Sequence, residues 1–322
     1  MKRFPKPRVV VSRCLGFEAC RYDGSILRDR LIDLLEPHVA FVDVCPEAHI
    51  GLGTPRLPVR LVQFGKELKL LQPGTDVDAT RDMQTFIEDF LQNNGDTDGF
   101  LLKSRSPSCG ISDVKVYATT ERAAAIGKGA GMFGAAVLEH FPTAAIEDEG
   151  RLRNFNLREH FLIKIFTLAR YRECIAKRSA AALIEFHASH KFVFMAYSQQ
   201  AMREMGRILA NPQKKSWKEI EAAYREKLHE ALARPARHTS HCNVLEHALG
   251  YVSDGLSAQE RRHFLATLER YRKRRLPLSS VLAVVRSWIA RFQQSYLAQQ
   301  HYFEPFPEDL IELSDSGKPR LD

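Results

Sequence analysis

The sequence predicts two unlike halves: an α/β N-terminal domain with a mostly parallel, Rossmann-like sheet, followed by an all-α C-terminal domain. Three observations predict this. Residues 1–150 alternate short β-branched runs with segments of helical periodicity, the pattern of a parallel sheet with helical crossovers. After residue 157 only helical spacing remains. The charge changes with the texture. Residues 1–150 carry 18 Lys+Arg against 21 Asp+Glu, a net of −3, whereas residues 151–322 carry 29 against 18, a net of +11.

In the first half, Arg8–Ser12 (R-V-V-V-S) reads as a strand, and a helix is expected over Ser25–Leu35. Val39–Val44 is the second strand. Leu61–Leu71 alternates about a central glycine and reads as a hairpin. Val77–Gln92 has helical periodicity, with Met83, Phe86, Ile87 and Phe90 on one face. Gly99–Lys103 and Val114–Ala118 are further strands, Gly134–Phe141 a short helix and Ala144–Glu147 a last edge strand. The polar stretch Glu147–Asn156 separates the domains, 1–150 and 151–322. Helices are expected over Leu157–Arg178, Ala180–Leu209, Trp217–Ala233, His241–Tyr251, Ala258–Arg274 and Leu278–Gln299. Pro212, Pro235 and Pro277 fall at breaks between them. The polar tail Glu312–Asp322 is expected to fray.

Composition bounds the function. At 44% hydrophobic, the chain has the make-up of a globular protein. No stretch is long and apolar enough for a membrane span. The start, M-K-R-F-P-K-P-R, leads into a strand with no signal-peptide core, which points to the cytoplasm. Six cysteines in 322 residues are too sparse for a disulfide framework. A half with net charge +11 suits a polyanion such as nucleic acid; the alternative is an Arg-rich solvated helical surface.

Three of the cysteines sit just beyond expected strands: Cys14 in V-S-R-C-L-G-F-E-A-C-R-Y-D-G, Cys45 in V-D-V-C-P-E, and Cys109 in K-S-R-S-P-S-C-G. Loops at the carboxyl ends of parallel strands form the binding crevice, so these three thiols are expected to converge. Thiolates bind zinc, copper or iron–sulfur clusters. No tight C-x₂₋₄-C pair of the structural zinc kind is present, Cys14 and Cys20 being six apart. Single cysteines from three loops suit a larger cluster better than one small ion. A [4Fe–4S] cluster on three cysteines keeps one iron open as a Lewis acid. Three buried, unreactive core thiols are the plainer alternative.

The neighbouring residues fit catalysis. Glu47 is placed to act as a general base or to orient a water. Ser104, Ser106 and Ser108 offer hydroxyls to a substrate or a developing negative charge. Arg21, Tyr22 and Asp23 suit a ring or a phosphate. In the second half, Arg272, Lys273, Arg274 and Arg275 form the densest basic run, with Tyr271, Trp288 and Arg286 near enough in sequence to suggest phosphate contact with stacking. His187 with His190, and His238, His241 and His247 with Cys242, have spacings that hint at zinc, though helix-surface or core histidines show the same spacings. Cys174 and Cys242 fall in helices and read as core thiols.

The strings C-L-G, R-Y-D-G, V-C-P-E, T-P-R and K-S-R-S-P-S-C-G together resemble those of the thiouracil desulfidase family, over roughly residues 7–147. F-H-A-S-H-K-F-V-F-M-A-Y-S and H-T-S-H-C-N-V-L-E-H-A-L-G-Y resemble the helical domain often fused to it, over about 155–313. The fused arrangement is similar to bacterial enzymes that remove sulfur from 4-thiouridine in tRNA. The resemblance implies a [4Fe–4S] cluster held by Cys14, Cys45 and Cys109, with the open iron taking the thiocarbonyl sulfur. It implies catalytic roles for Glu47 and for Ser104, with Ser106 the other candidate serine. It argues against Cys20 as an obligatory ligand. The function so implied is a non-redox C–S hydrolase acting on thiolated uridine in tRNA, the basic run Arg272–Arg275 contacting the RNA. A desulfidase of free thiobases and a non-enzymatic iron–sulfur nucleic-acid regulator are the competing readings.

Overall fold

In the computed structural model, residues 3–75, 77–121, 123–211 and 213–311 are described. Packing divides the chain into two compact units: the second is Arg170–Glu308, and the first takes the residues through Ala169 together with those from Asp309 onward.

The first unit is built on two sheets. The first contains β1 (Arg8–Ser12), β2 (Ala40–Val44), β6 (Gly99–Leu102) and β9 (Ala145–Asp148), in the order β2-β1-β6-β9. All its neighbours pair in parallel, with Val10 opposite Val42 and Phe100. The central strands are buried along nearly their whole length. Their unbroken apolar runs reflect a sheet covered on both faces. The strand order reverses across β1 and β6, so a crevice is expected beyond their carboxyl ends.

The second sheet is not separable from the first by periodicity. It contains β3 (Arg60–Phe64), β4 (Glu67–Gln72), β5 (Val77–Asp78), β7 (Val114–Tyr117) and β8 (Gly127–Gly129), in the order β5-β4-β3-β7-β8. The expected hairpin is present as β3 and β4, antiparallel around Gly65 and Lys66. Val114–Tyr117 is a strand as expected but pairs with β3, in parallel, and so belongs to this sheet. Val77 and Asp78 form β5 instead of opening a helix, because Val77 pairs with Gln72 and the Asp78 carboxylate accepts the Thr80 N–H at 3.0 Å. Helix α3 (Thr80–Asn93) therefore begins at Thr80, and its Met83, Phe86, Ile87 and Phe90 are buried as their spacing predicts.

One further helix is displaced from expectation and another has no counterpart in it. Helix α1 (Arg30–Leu35) begins only after Asp29, whose side chain accepts the Leu31 N–H and caps it. Ser25 instead closes a turn with Asp23. Helix α2 (Pro46–His49), too short to show periodicity, starts directly after Cys45, with proline at its first position. Helix α4 (Met132–His140) faces α3, and Phe133 meets Phe86 and Phe90 at ring-centroid distances of 5.7 and 5.0 Å. One core joins both sheets to α3 and α4, and Cys109 is part of it.

Helix α5 (Phe155–Ala176) carries the chain from one unit to the next. Its first half packs with the parallel sheet: Ile165 abuts Gly99, and the buried Lys164 ammonium donates to the Ala144 carbonyl at 2.9 Å. The first unit thus continues through Ala169, past the polar stretch at 147–156.

The second unit is helical throughout its described residues: α6 (Ala180–Tyr197), α7 (Gln199–Ala210), α8 (Trp217–Ala231), α9 (His238–Gly250), α10 (Ala258–Arg272), α11 (Leu278–Arg291) and α12 (Ser295–Gln299). The single helix expected over Ala180–Leu209 is broken at Ser198, whose hydroxyl accepts the Ala201 N–H at 3.2 Å and starts α7. Ser216 with Glu219, and Ser257 with Glu260, form capping boxes on α8 and α10. Pro235 and Pro277 fall at breaks as expected; Pro212 and the tail Glu312–Asp322 lie outside the described residues. Cys174 and Cys242 are buried core thiols. No helix among the described residues is long and apolar enough to cross a membrane.

Candidate active site

The loops after β1, β2, β6 and β9 enclose a cavity of about 560 Å³. Cys14, Cys45, Cys109, Glu47, Ser104 and Ser106 all line it. The sequence-predicted site residues of the first domain are thereby brought together. Cys20 lines it too. All six cysteines are free thiols.

Cys14, Cys20 and Cys109 are buried. Burial, reinforced by Cys45, pushes the Cys14 thiol up to about 11. The same causes push Cys20 up to about 12. Burial holds Cys109 well above the ordinary thiol range, against a hydrogen bond from Ser12 that pulls it down. These shifts describe neutral thiols facing one another, and a cation among them would reverse the preference. Among the described residues no three His, Cys, Asp or Glu side chains stand close enough to hold a single metal ion. Thiols around a multi-iron cluster stand farther apart than around one ion. The donor set, Cys14, Cys45 and Cys109 with Cys20 lining the same cavity, has the soft-thiol chemistry of an iron–sulfur site.

The Cys109 loop is held from two sides. The Ser106 hydroxyl accepts the N–H groups of Ser108 and Cys109, at 3.2 and 3.1 Å. The start of α4 then docks on the loop: Gly131, Met132 and Gly134 donate N–H bonds to the carbonyls of Gly110, Pro107 and Ser108, at 2.7, 3.1 and 2.9 Å. This close approach requires glycine. A Cβ on Gly134 would lie 2.3 Å from the Gly110 carbonyl oxygen and 2.8 Å from that of Cys109. Gly134→Ala is therefore expected to push the loop off α4, at a cost of about 1–3 kcal/mol for overpacking. Thermal unfolding and iron content after anaerobic purification measure this, and both are expected to fall.

Glu47 sits in the first turn of α2, two residues after Cys45. Its Oε2 accepts from Arg56 Nε and Nη2, at 2.9 and 2.7 Å, and its Oε1 accepts from the Ser108 hydroxyl at 2.9 Å. Both members of the ion pair are buried, the side chains of Arg56 and Glu47 being 4% and 11% exposed. Arg56 Nη1 also donates to the Cys20 carbonyl at 3.0 Å, tying the first cysteine loop to the second.

Ser104 belongs to a different set. Its hydroxyl donates to Glu149 Oε1 at 2.6 Å, and its N–H donates to Oε2 at 2.8 Å. The Lys103 ammonium donates to the same carboxylate and to Ser104 Oγ. Burial alone would raise the Glu149 carboxyl, but the bonds from Lys103 and Ser104 prevail and hold it below the ordinary range. The stability this lowered pKa contributes is present above the unfolded carboxylate range and is lost as pH falls through the folded value. The two candidate serines thus differ: Ser106 is committed to its own loop, whereas Ser104 is hydrogen-bonded to a carboxylate in the cavity wall. Lys103, Glu149, Arg56 and Ser12 are site residues that the sequence does not single out. Glu149 follows β9 as the cysteines follow their strands, but the acidic run there reads as a linker.

In the second unit the basic run Arg272–Arg275 is exposed at the end of α10. Arg272 pairs with Glu246 and Glu269 at 2.7 and 3.0 Å, and Lys273 with Glu269 at 3.3 Å. The expected stacking partners are elsewhere: Tyr271 and Trp288 are core residues, 4% and 6% exposed. Arg286 is paired with Glu308. The histidines are mostly absorbed into packing. His187 meets the Tyr224 hydroxyl at 3.1 Å, His190 the Phe186 carbonyl at 2.8 Å, and His241 the Tyr302 hydroxyl at 2.8 Å.

Comparison with known proteins places both halves. Residues 9–149 match the family model described as 2-thiouracil desulfurase, and residues 191–307 match a protein of unknown function, DUF1722. The uncharacterised protein YbgA of Escherichia coli K12 is 30% identical over 174 residues, 53% of this chain and 95% of that protein. The uncharacterised protein YbbK of Bacillus subtilis 168 is 32% identical over 111 residues, 32% of this chain and 72% of that protein. The solved structure of TudS, a [4Fe–4S]-dependent thiouracil desulfidase, is 26% identical, covering 46% of this chain and 93% of that one with a TM-score of 0.36. With three strand-end cysteines on one cavity and a helical unit following them in the chain, the protein belongs to the 2-thiouracil desulfurase family, in a form that carries a DUF1722 domain.

Proposed function

We propose that the protein removes sulfur from thiolated uracil in tRNA, converting 4-thiouridine to uridine and releasing sulfide. The observation that carries this reading is the meeting of Cys14, Cys45 and Cys109 with Glu47 and Ser104 on one cavity. Cys14, Cys45 and Cys109 would hold a [4Fe–4S] cluster. Bound there, such a cluster supplies an open iron, a soft Lewis acid suited to a thiocarbonyl sulfur. The overall reaction exchanges sulfur for oxygen: water supplies the oxygen, hydrogen sulfide carries the sulfur away, and no electrons are transferred. Glu47 takes a proton from the attacking water, its carboxylate held in place by Arg56 and Ser108. Ser104, its proton directed to Glu149, presents a hydroxyl lone pair that accepts from a ring N–H and orients the reacting base. Free thiols throughout the described chain suit the reducing cytoplasm.

The tRNA arm of the proposal rests on the charge of the second half, +11 against −3 for the first. A free base has no use for a large basic platform. Arg274 and Arg275 are the members of the run outside the ion pairs with Glu246 and Glu269. Neutralising Arg272, Lys273, Arg274 and Arg275 together is expected to weaken tRNA binding. Every phosphate that is no longer neutralised flattens the log Kd against log salt slope by about 0.7–0.9, so with two such phosphates a change of about 1.4–1.8 is expected. Filter binding across a salt series measures it. Unchanged affinity and slope would remove the run from the RNA interface.

A further inference from the structure

We propose that the end of the hairpin formed by α7 and α8 is an RNA-docking surface of the second unit, on which Arg207, Lys214, Lys215 and Lys218 neutralise phosphates of the nucleic-acid backbone. This rests on the reading of the substrate as tRNA, and it assigns the backbone contact to a named surface.

Unspent charge carries the argument. Helices α7 and α8 pack against each other, and Lys227 of α8 reaches Glu204 of α7 at 3.0 Å. Arg207 lies in the last turn of α7, Lys214 and Lys215 in the connection, and Lys218 in the first turn of α8, so the four share one end of the hairpin. All four are exposed, as is Arg203 one turn before Arg207. Among the described residues no carboxylate lies within ion-pair distance of any of the five. The carboxylates that reach Arg207 and Lys215 through space are committed elsewhere: Glu204 to Lys227 and Gln200, and Glu219 to the Ser216 N–H and hydroxyl. The run Arg272–Arg275 differs, since Arg272 and Lys273 are already held by Glu246 and Glu269.

The local structure presents this charge at a cost to the fold. Lys214, Lys215 and Lys218 surround the amino end of α8, where the helix dipole disfavours cations. Lys214 has φ +51°, a conformation that costs a residue with a Cβ. The lysines are nonetheless held in place. The Asn211 side chain brackets Lys215, its amide donating to the Lys215 carbonyl at 3.1 Å and its oxygen accepting the Lys215 N–H at 2.8 Å, and the Ser216–Glu219 capping box follows. The chemistry of the surface selects its ligand. Among the described residues of α7 and α8 no large hydrophobic side chain is exposed. The surface therefore lacks the apolar centre of a protein interface and the apolar face of a membrane-bound helix. Exposed cations alone suit a phosphate backbone, which is met by charge.

The test is filter binding of tRNA containing 4-thiouridine to the anaerobically purified full-length protein across a salt series. Arg207→Gln, Lys214→Gln, Lys215→Gln and Lys218→Gln are combined in one variant. It is expected to flatten the log Kd against log salt slope by about 2.8–3.6, the sum over four phosphates, and to weaken binding more than about tenfold at low salt. The charge-keeping variant, Arg207→Lys with Lys214→Arg, Lys215→Arg and Lys218→Arg, is expected to keep the native slope. If the fourfold glutamine variant does not fold, Lys214→Gln with Lys215→Gln is expected to give about half of the slope change. Unchanged affinity and slope would overturn the surface. So would binding of the native protein to polyglutamate or to phosphatidylserine vesicles as tightly as to tRNA, with the same loss in the variant, because the surface would then take any polyanion. Sulfide release from the same tRNA is measured alongside. A slope change in the variant, with no sulfide released by the native protein, would leave the surface standing and overturn the desulfurising role. Sulfide release by the native protein, with slope and affinity untouched in the variant, would do the reverse.

Discussion

Cys14→Ser, Cys45→Ser and Cys109→Ser are each expected to abolish iron–sulfur absorbance and bring desulfurisation to background. The three thiols reach the cavity from the ends of three neighbouring parallel strands, so none substitutes for another. Serine oxygen is a poor ligand for a soft site. The informative control is Cys20→Ser. Cys20 lines the same cavity, and its carbonyl accepts from Cys45 Sγ at 3.9 Å and from Arg56. With three protein ligands, Cys20→Ser retains iron and turnover. With four, the cluster would be closed, and the variant would lose iron. Cys174→Ser and Cys242→Ser, in helical core positions, are expected to retain both. Iron counting and visible absorbance on anaerobically purified protein read every case, and a fully loaded, active Cys45→Ser protein would contradict the ligand assignment.

Glu47→Gln is expected to keep iron and lose turnover by about 10²–10⁴, the ordinary contribution of a general base. Glutamine is the informative change because Glu47 neutralises the buried Arg56. Alanine would leave that guanidinium uncompensated, at a cost of about 3–5 kcal/mol, and would mix loss of chemistry with loss of the fold. Glutamine also removes the counter-charge but keeps one amide oxygen to accept from Arg56, its NH2 facing the Ser108 hydroxyl oxygen, so the guanidinium stays hydrogen-bonded while the base is lost. Anaerobic turnover with iron content measured on the same sample separates the two effects. Near-normal turnover with a full complement of iron would remove Glu47 from the chemistry.

Much of this site is legible because strand ends are legible. R-V-V-V-S and the run ending at V-D-V-C are apolar and short, and a parallel sheet brings their carboxyl ends together; Cys14 and Cys45 follow at once. What periodicity does not carry is pairing. Val114–Tyr117 reads as a strand, but which sheet it joins depends on its partner β3, far away in sequence. Glu149 is illegible for a related reason. An acidic run after a strand reads as solvated linker until β9 is paired to β6, which sets its carboxylate beside Ser104 and Lys103. Gly131 and Gly134 signal nothing in isolation, since their role is the approach of another backbone. In the helical unit, hydrophobic spacing locates the helices, but Tyr271 and Trp288 are near the basic run in sequence and turned into the core in space. Ser198 breaks an apolar run that has no proline or glycine to mark the break.

The most direct test of the central claim is to incubate anaerobically purified, iron-counted protein with tRNA containing 4-thiouridine. Released sulfide and digested nucleosides are then measured together. The expected result is uridine replacing 4-thiouridine with one sulfide released for each uridine formed, over many turnovers and without an added electron donor. A cluster-loaded protein that binds this tRNA yet releases no sulfide and leaves 4-thiouridine intact would contradict the account.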